Sequence, residues 1–134
     1  GKKWHCYYTA HPGRKGGVYL RTSADLRDWG PSTRVAYGGS AGAEFYSAEC
    51  PHVVAFKGCY YLFRTQRYLG NPQTSVYRSK DPANFGIDTD EYLVCRLPVA
   101  APEIILHEEQ YYVASLLPNL QGIRIARLKW ERKP

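Results

Sequence analysis

Apolar and polar residues alternate with a period of two in short runs along the chain, and Gly, Pro, Asn and Asp fall between the runs. That pattern predicts β-strands joined by tight turns. The runs lie at 4–9, 17–22 and 32–37 and then, after the small-residue link "GGSAGAE", at 52–56, 59–65, 75–79 and 91–96; "PEIIL", "QYYVAS" and "GIRIARLKW" supply three more. No helical period of useful length interrupts them, so the chain is predicted to be all-β.

The runs repeat. "SAECPHVVAFKGCYYLF" (47–63) returns fifty-one positions later as "AAPEIILHEEQYYVAS", matching Cys50 with Ala101, Pro51 with Pro102, Tyr60 with Tyr111 and Tyr61 with Tyr112. "RTSADLRDWG" and "YRSKDPANFG" share Ser, Asp two residues on, an aromatic four after that, and Gly. Their Asp25 and Asp81 read as turn formers, because a short polar side chain can bond nearby backbone while Trp29 or Phe85 covers the turn. Groups of four short antiparallel strands at a period near 50 residues are the signature of β-propeller blades. The expectation is one partial propeller over 1–134, about two and a half blades: an incomplete blade at 1–40, a complete one at 44–98 and an incomplete one at 99–134. The first group lacks an innermost strand and the last an outermost one. So few blades would leave sheet faces and edges bare, which predicts self-association or further blades ahead of this chain.

Composition supports this and excludes little else. With 134 residues, one modest core is the expectation, and twelve Tyr, three Trp and four Phe favour strands. The net charge of +6 is scattered apart from "RIARLKWERKP", which reads as a solvated end, so neither nucleic acid nor membrane is an expected partner. No apolar run approaches the roughly 20 residues of a membrane span, "GKKWHCYYT" does not read as a signal peptide, and the compartment is left open. The cysteines at 6, 50, 59 and 95 lack zinc-site spacing, so no metal or cofactor is expected. Cys6 in "HCYY" and Cys59 in "GCYY" read as equivalent buried side chains, with a disulfide left open.

"AECPHVVAFKGCYYLFRT", "VYRSKDPANFG", "APEIILHEEQYYVAS" and "GIRIARLKW" resemble the later blades of five-bladed propeller glycoside hydrolases, families 32 and 43 and their relatives, over nearly the whole chain. "GVYLRTSADLRDW" is similar to a stretch those enzymes carry on an earlier blade. The resemblance implies a carbohydrate ligand, a furanoside or pyranoside of the fructosidase or arabinosidase/xylosidase type. It makes Glu49, in Glu49-Cys50-Pro51, the general acid/base. Such a reaction needs a proton held on one carboxyl group and a second, ionised carboxylate, about 5–5.5 Å away for retention or 6.5–9.5 Å for inversion. The resemblance places that second group in an Asp-Pro motif ahead of the acid. None precedes Glu49 here, and Asp81-Pro82 follows it at the turn position, so the chain is expected not to complete the reaction alone.

Further expectations concern binding and packing. His52 and Glu103 occupy matching repeat positions and could contact sugar hydroxyls or each other. Arg64, Arg67 and Tyr68, in "FRTQRY", close the second strand of the complete blade, where ligand contact and plain solvent exposure are both open. In "CYYLF" and "QYYVAS" adjacent tyrosines face opposite sides, so one of each pair packs between blades. The alternative to catalysis is a carbohydrate-binding or self-assembling partial propeller.

Overall fold

The computed structural model describes residues 2–131. It is all-β, with three antiparallel sheets. The first has the order β1 (Trp4–Ala10), β2 (Gly17–Ser23), β3 (Thr33–Tyr37). The central sheet runs β4 (Glu49–Phe56), β5 (Cys59–Arg67), β6 (Gln73–Ser79), β7 (Leu93–Leu97). The third runs β8 (Ala100–His107), β9 (Gln110–Leu116), β10 (Ile123–Arg127). All ten strands overlap the alternating runs, β4 beginning at Glu49, three residues ahead of the 52–56 run. The two helical pieces, Pro12–Arg14 and Gly39–Ala41, are single 3-10 turns in connections.

The three sheets are propeller blades, stacked with the four-stranded one between its neighbours. Val18, Leu20, Val35 and Ala36 of the first sheet pack on Leu62 and Tyr77 of the central sheet, with Phe85, Val53 and Tyr60 alongside. On the opposite face Phe63 and Val76 meet Ile104, with Val54, Tyr61, Tyr111 and Val113 around them. Tyr60 and Tyr61 therefore both pack between sheets, one on each side. Adjacent residues of β5 point to opposite faces, and both faces are covered. This explains why Leu62, Phe63, Arg64 and Thr65 form an unbroken buried run instead of an alternating one.

The repeated turns form as expected. Ser23 Oγ accepts from Asp25 N and Leu26 N, and Asp25 Oδ1 accepts from Arg27 N and Asp28 N at 2.9 Å each. Those amides hold the Asp25 carboxyl below its ordinary pKa. In the second copy Ser79 Oγ accepts from Asp81 N, and Asp81 Oδ1 from Ala83 N. Behind this turn Phe85 is fully buried with its ring against Tyr7, whose hydroxyl donates to Pro82 O at 2.8 Å. The backbone after it pairs with β3: Phe85 N bonds Val35 O, Tyr37 N bonds Gly86 O and Asp88 N bonds Tyr37 O. The outer edge of the first sheet is thus closed by a loop of its neighbour, one way of blunting a bare edge.

Besides the Tyr60–Tyr61 pair, of which one is expected between blades and both lie there, two expectations need correction. Cys6 and Cys59 are not equivalent: Trp4 pairs with Ser23 and Tyr60 with Ser79, so Cys6 occupies the position of Leu62. It is exposed, Cys59 is buried, and none of the four cysteines is in a disulfide. The C-terminal charge run is not simply solvated, since Leu128 joins the second core cluster and Trp130 stacks on Phe56 at 4.6 Å; residues 132–134 lie outside the described residues.

Phe85→Ala is expected to lower the unfolding free energy by about 3–5 kcal/mol. The fall would appear as a lower urea midpoint, because the cavity opens between two sheets that cannot both collapse into it.

Candidate functional site

The site is built at the start of β4. Glu49 pairs with Thr65 and His52 with Phe63, so the ladder carries one extra residue between them, and Cys50 takes a left-handed φ of 43°. β8 repeats this bulge, with a register shift between Ala100 and Glu103 and Ala101 at φ 47°. The bulge brings residues three apart into phase on the ladder. Proline is tolerated there because β4 and β8 are edge strands.

The Glu49 carboxylate is held by the neighbouring sheet. Its Oε1 lies 3.3 Å from His11 Nε2, both side chains being about a quarter exposed (27% and 29%). His11 follows β1 directly, and its ring stacks on Phe45 with centroids 4.2 Å apart; Phe45 in turn meets Tyr46 edge-on. Two backbone ties fix this approach. Thr9 Oγ1 donates to Ala48 O at 2.5 Å, and Gly16 N donates to Ala43 O and Glu44 O at 3.2 Å. A Cβ on Gly16 would sit 2.7 Å from Glu44 O, so only glycine allows the contact.

On the other side Cys50 Sγ lies 3.2 Å from the Tyr68 hydroxyl. Burial, then the Cys50 thiol, then the Glu49 charge push the Tyr68 pKa well above its ordinary value. Arg67 is exposed and donates to Gln73 Oε1 at 2.6 Å. An open recess of about 390 Å³ at Arg67 is lined by Ala41, Glu44, Tyr46, Ser47, Gln66, Arg67 and Gln73. The exposed ring of Tyr46 lines it with Gln66, whose amide is bonded to Ser47 O, Arg64 O and Ser75 Oγ, and Gln73, whose Oε1 accepts from Arg67.

The predicted residues are therefore divided. Glu49, Arg67 and Tyr68 gather at this end of the central sheet. Arg64 does not join them as a ligand-facing or solvent-exposed group: it is 1% exposed, and its guanidinium donates to Ser47 O at 2.7 Å, Gly42 O at 2.6 Å and Gly38 O at 3.3 Å. It bonds the carbonyls of the link that leads into Glu49. β5 is covered on both sides, so no solvent is available to Arg64. Burial lowers its pKa, and Tyr77, Glu44 and Asp90 oppose that shift. His52 sits at the junction with the third sheet, its Nε2 accepting from Ile104 N at 3.1 Å, and Glu103 is exposed beside it. His11, Phe45 and Tyr46 were not singled out from sequence. His11 lies 38 positions from Glu49 and carries no repeat signal, so only folding joins them.

Arg64→Met, which keeps the stem and removes the donors, is expected to cost about 3 kcal/mol by urea titration, since two buried carbonyls and one part-buried carbonyl lose their partner. His52 gives a pH dependence. Burial lowers its folded pKa, while nearby Glu103 opposes the shift. Below the unfolded value of about 6.5 the unfolded chain binds the proton first, so stability falls as pH drops through that region and levels off once folded His52 titrates. His52→Gln should flatten the decline in urea midpoints measured between pH 7.5 and 5.

No protein-family model and no curated protein matches the sequence. Among solved structures, the chain is similar to the α-L-arabinofuranosidase CtGH43 from Clostridium thermocellum ATCC 27405, with 12% identity and a TM-score of 0.57. The alignment covers 98% of this chain and 51% of that one, so the chain spans about half the length of the solved structure. At that identity the likeness establishes the fold, a propeller of the kind found in a glycoside hydrolase.

Proposed function

We propose that the chain contributes the acid/base half of a glycoside hydrolase-like site, acting on furanosides or pyranosides of the arabinosidase/xylosidase or fructosidase type. The observation that carries this reading is the placement of Glu49 on a bulged edge strand, braced by His11 from the next sheet. In this role Glu49 donates its proton to the leaving glycosidic oxygen and, in a retaining enzyme, takes one back from water. Among the described residues its side-chain hydrogen-bond partner is His11. Because no Asp-Pro motif precedes Glu49, this reading takes the nucleophile or base from further blades or another copy.

A second reading, carbohydrate binding without catalysis, is favoured by the recess itself, where an exposed tyrosine ring lies among amides and a guanidinium. Fold similarity does not choose between the two.

The test has two arms. Titration of the 134-residue chain with methyl α-L-arabinofuranoside, methyl β-D-xyloside and methyl β-D-fructofuranoside, followed by amide NMR shifts, should move resonances of Glu49, Tyr46 and Arg67. In a form that hydrolyses the corresponding 4-nitrophenyl glycosides, Glu49→Gln should reduce turnover about 100- to 10,000-fold with binding kept. Sugar binding that is indifferent to residues around Glu49 would overturn the site. Binding at those residues with no hydrolysis in any assembled form would leave the binding reading.

A further inference from the structure

The ladders reveal a packing rule between sheets. With the two Ser-x-Asp turns in register, Tyr7 and Leu20 of the first sheet are the counterparts of Phe63 and Val76 of the central one. The face bearing Tyr7 and Leu20 seats on the central sheet's Leu62 and Tyr77. The opposite face of the central sheet, bearing Phe63 and Val76, seats on the third sheet's Ile104 and Val113, and Val113 is the repeat counterpart of Leu62. A leading face of the Phe63 type therefore docks on a trailing face of the Leu62 type, twice in succession.

One face of each kind is left over. The third sheet's leading face carries Ile105, Tyr112, Ala114, Ile123 and Ile125, brought together by the pairs Ile105–Tyr112, Ala114–Ile125 and Leu116–Ile123. Ile123 and Ile125 are 65% and 63% exposed. The first sheet's trailing face carries Trp4, Cys6, Tyr8, Tyr19, Arg21 and Arg34, with Trp4 52% exposed and the Tyr8 and Tyr19 rings stacked at 5.9 Å. Contiguous exposed apolar surface of this kind marks an interaction site.

We propose that these two faces bind each other between copies, the third sheet of one chain on the first sheet of a second. Three observations select that occupant. The same docking rule already operates at both internal junctions. The trailing face is basic through Arg21 and Arg34, so pairing it with itself would oppose like charges, whereas the leading face carries Glu103 together with Arg127 and is charge-balanced. The alignment covers 51% of the solved arabinofuranosidase chain, so two copies together come to about the length of that chain. The contact is heterologous and so either closes into a ring or grows head to tail. It stands apart from the reading of Glu49.

Light-scattering mass across a concentration series tests it. The wild-type chain should reach at least twice its 15.3 kDa. A leading-face variant, Ile123→Glu with Ile125→Glu, and a trailing-face variant, Trp4→Lys with Cys6→Lys, should each be monomeric. An equal mixture of the two should form a dimer, because one intact face of each kind remains. Near-ultraviolet circular dichroism matching wild type shows that the variants are folded; should the Trp4 signal confound it, thermal melts of both variants within a few degrees of wild type serve instead. A monomeric wild type at every concentration, a trailing-face variant that still dimerises alone, or a mixture that stays monomeric would each overturn the proposal.

Discussion

The central sheet has to bury both of its faces, and the rest of the structure follows from that requirement. Leu62 and Tyr77 on one side and Phe63 and Val76 on the other are too apolar to meet water, and burying each large side chain is worth about 1.5–3 kcal/mol. Two flanking sheets satisfy the need. The same enclosure removes solvent from Arg64, whose charge is tolerated because backbone carbonyls surround it. Those carbonyls belong to the 38–47 link, so the burial of one arginine determines where the chain enters β4.

Position and chemistry are connected through that link. A conserved geometry within the chain, the left-handed residue at Cys50 and again at Ala101, shows that the bulge belongs to the repeat. What differs between the copies is the side chain displayed: Glu49 meets His11 at the first bulge, whereas Ala100 occupies its place at the second. The bulged strand start is thus a general scaffold, and only one of its two copies carries an acid braced by a neighbouring histidine. His52 and Glu103 show the same principle at the next position, where His52 accepts a backbone N–H of the adjacent sheet and Glu103 faces outward.

Sheets that dock by a repeated leading-to-trailing rule also explain why the end faces look unlike a finished surface. Cys6 is exposed for this reason, although its counterpart Leu62 is wholly buried. Its position in the ladder is the one that Leu62 fills in the central sheet.

Strand positions, turn chemistry and the blade class were legible in the residue order, since alternation, Ser-x-Asp turns and the fifty-one-residue repeat are local or periodic properties. Glu49 could be singled out because its neighbours Cys50 and Pro51 are adjacent in sequence. The partner of that carboxylate could not, because His11 reaches it across an interface between sheets and no periodicity links the two. The fate of Arg64 was equally hidden: a charged residue near a strand end reads as exposed until both faces of its sheet are known to be covered. The equivalence of Cys6 and Cys59 failed likewise, because a matching "CYY" fixes composition while hydrogen-bond register fixes facing, and a shift in pairing moves every side chain. Sequence determined which segments are strands and where they turn; tertiary packing decided which charges are buried and which side chains meet, because those depend on contacts between sheets distant along the chain.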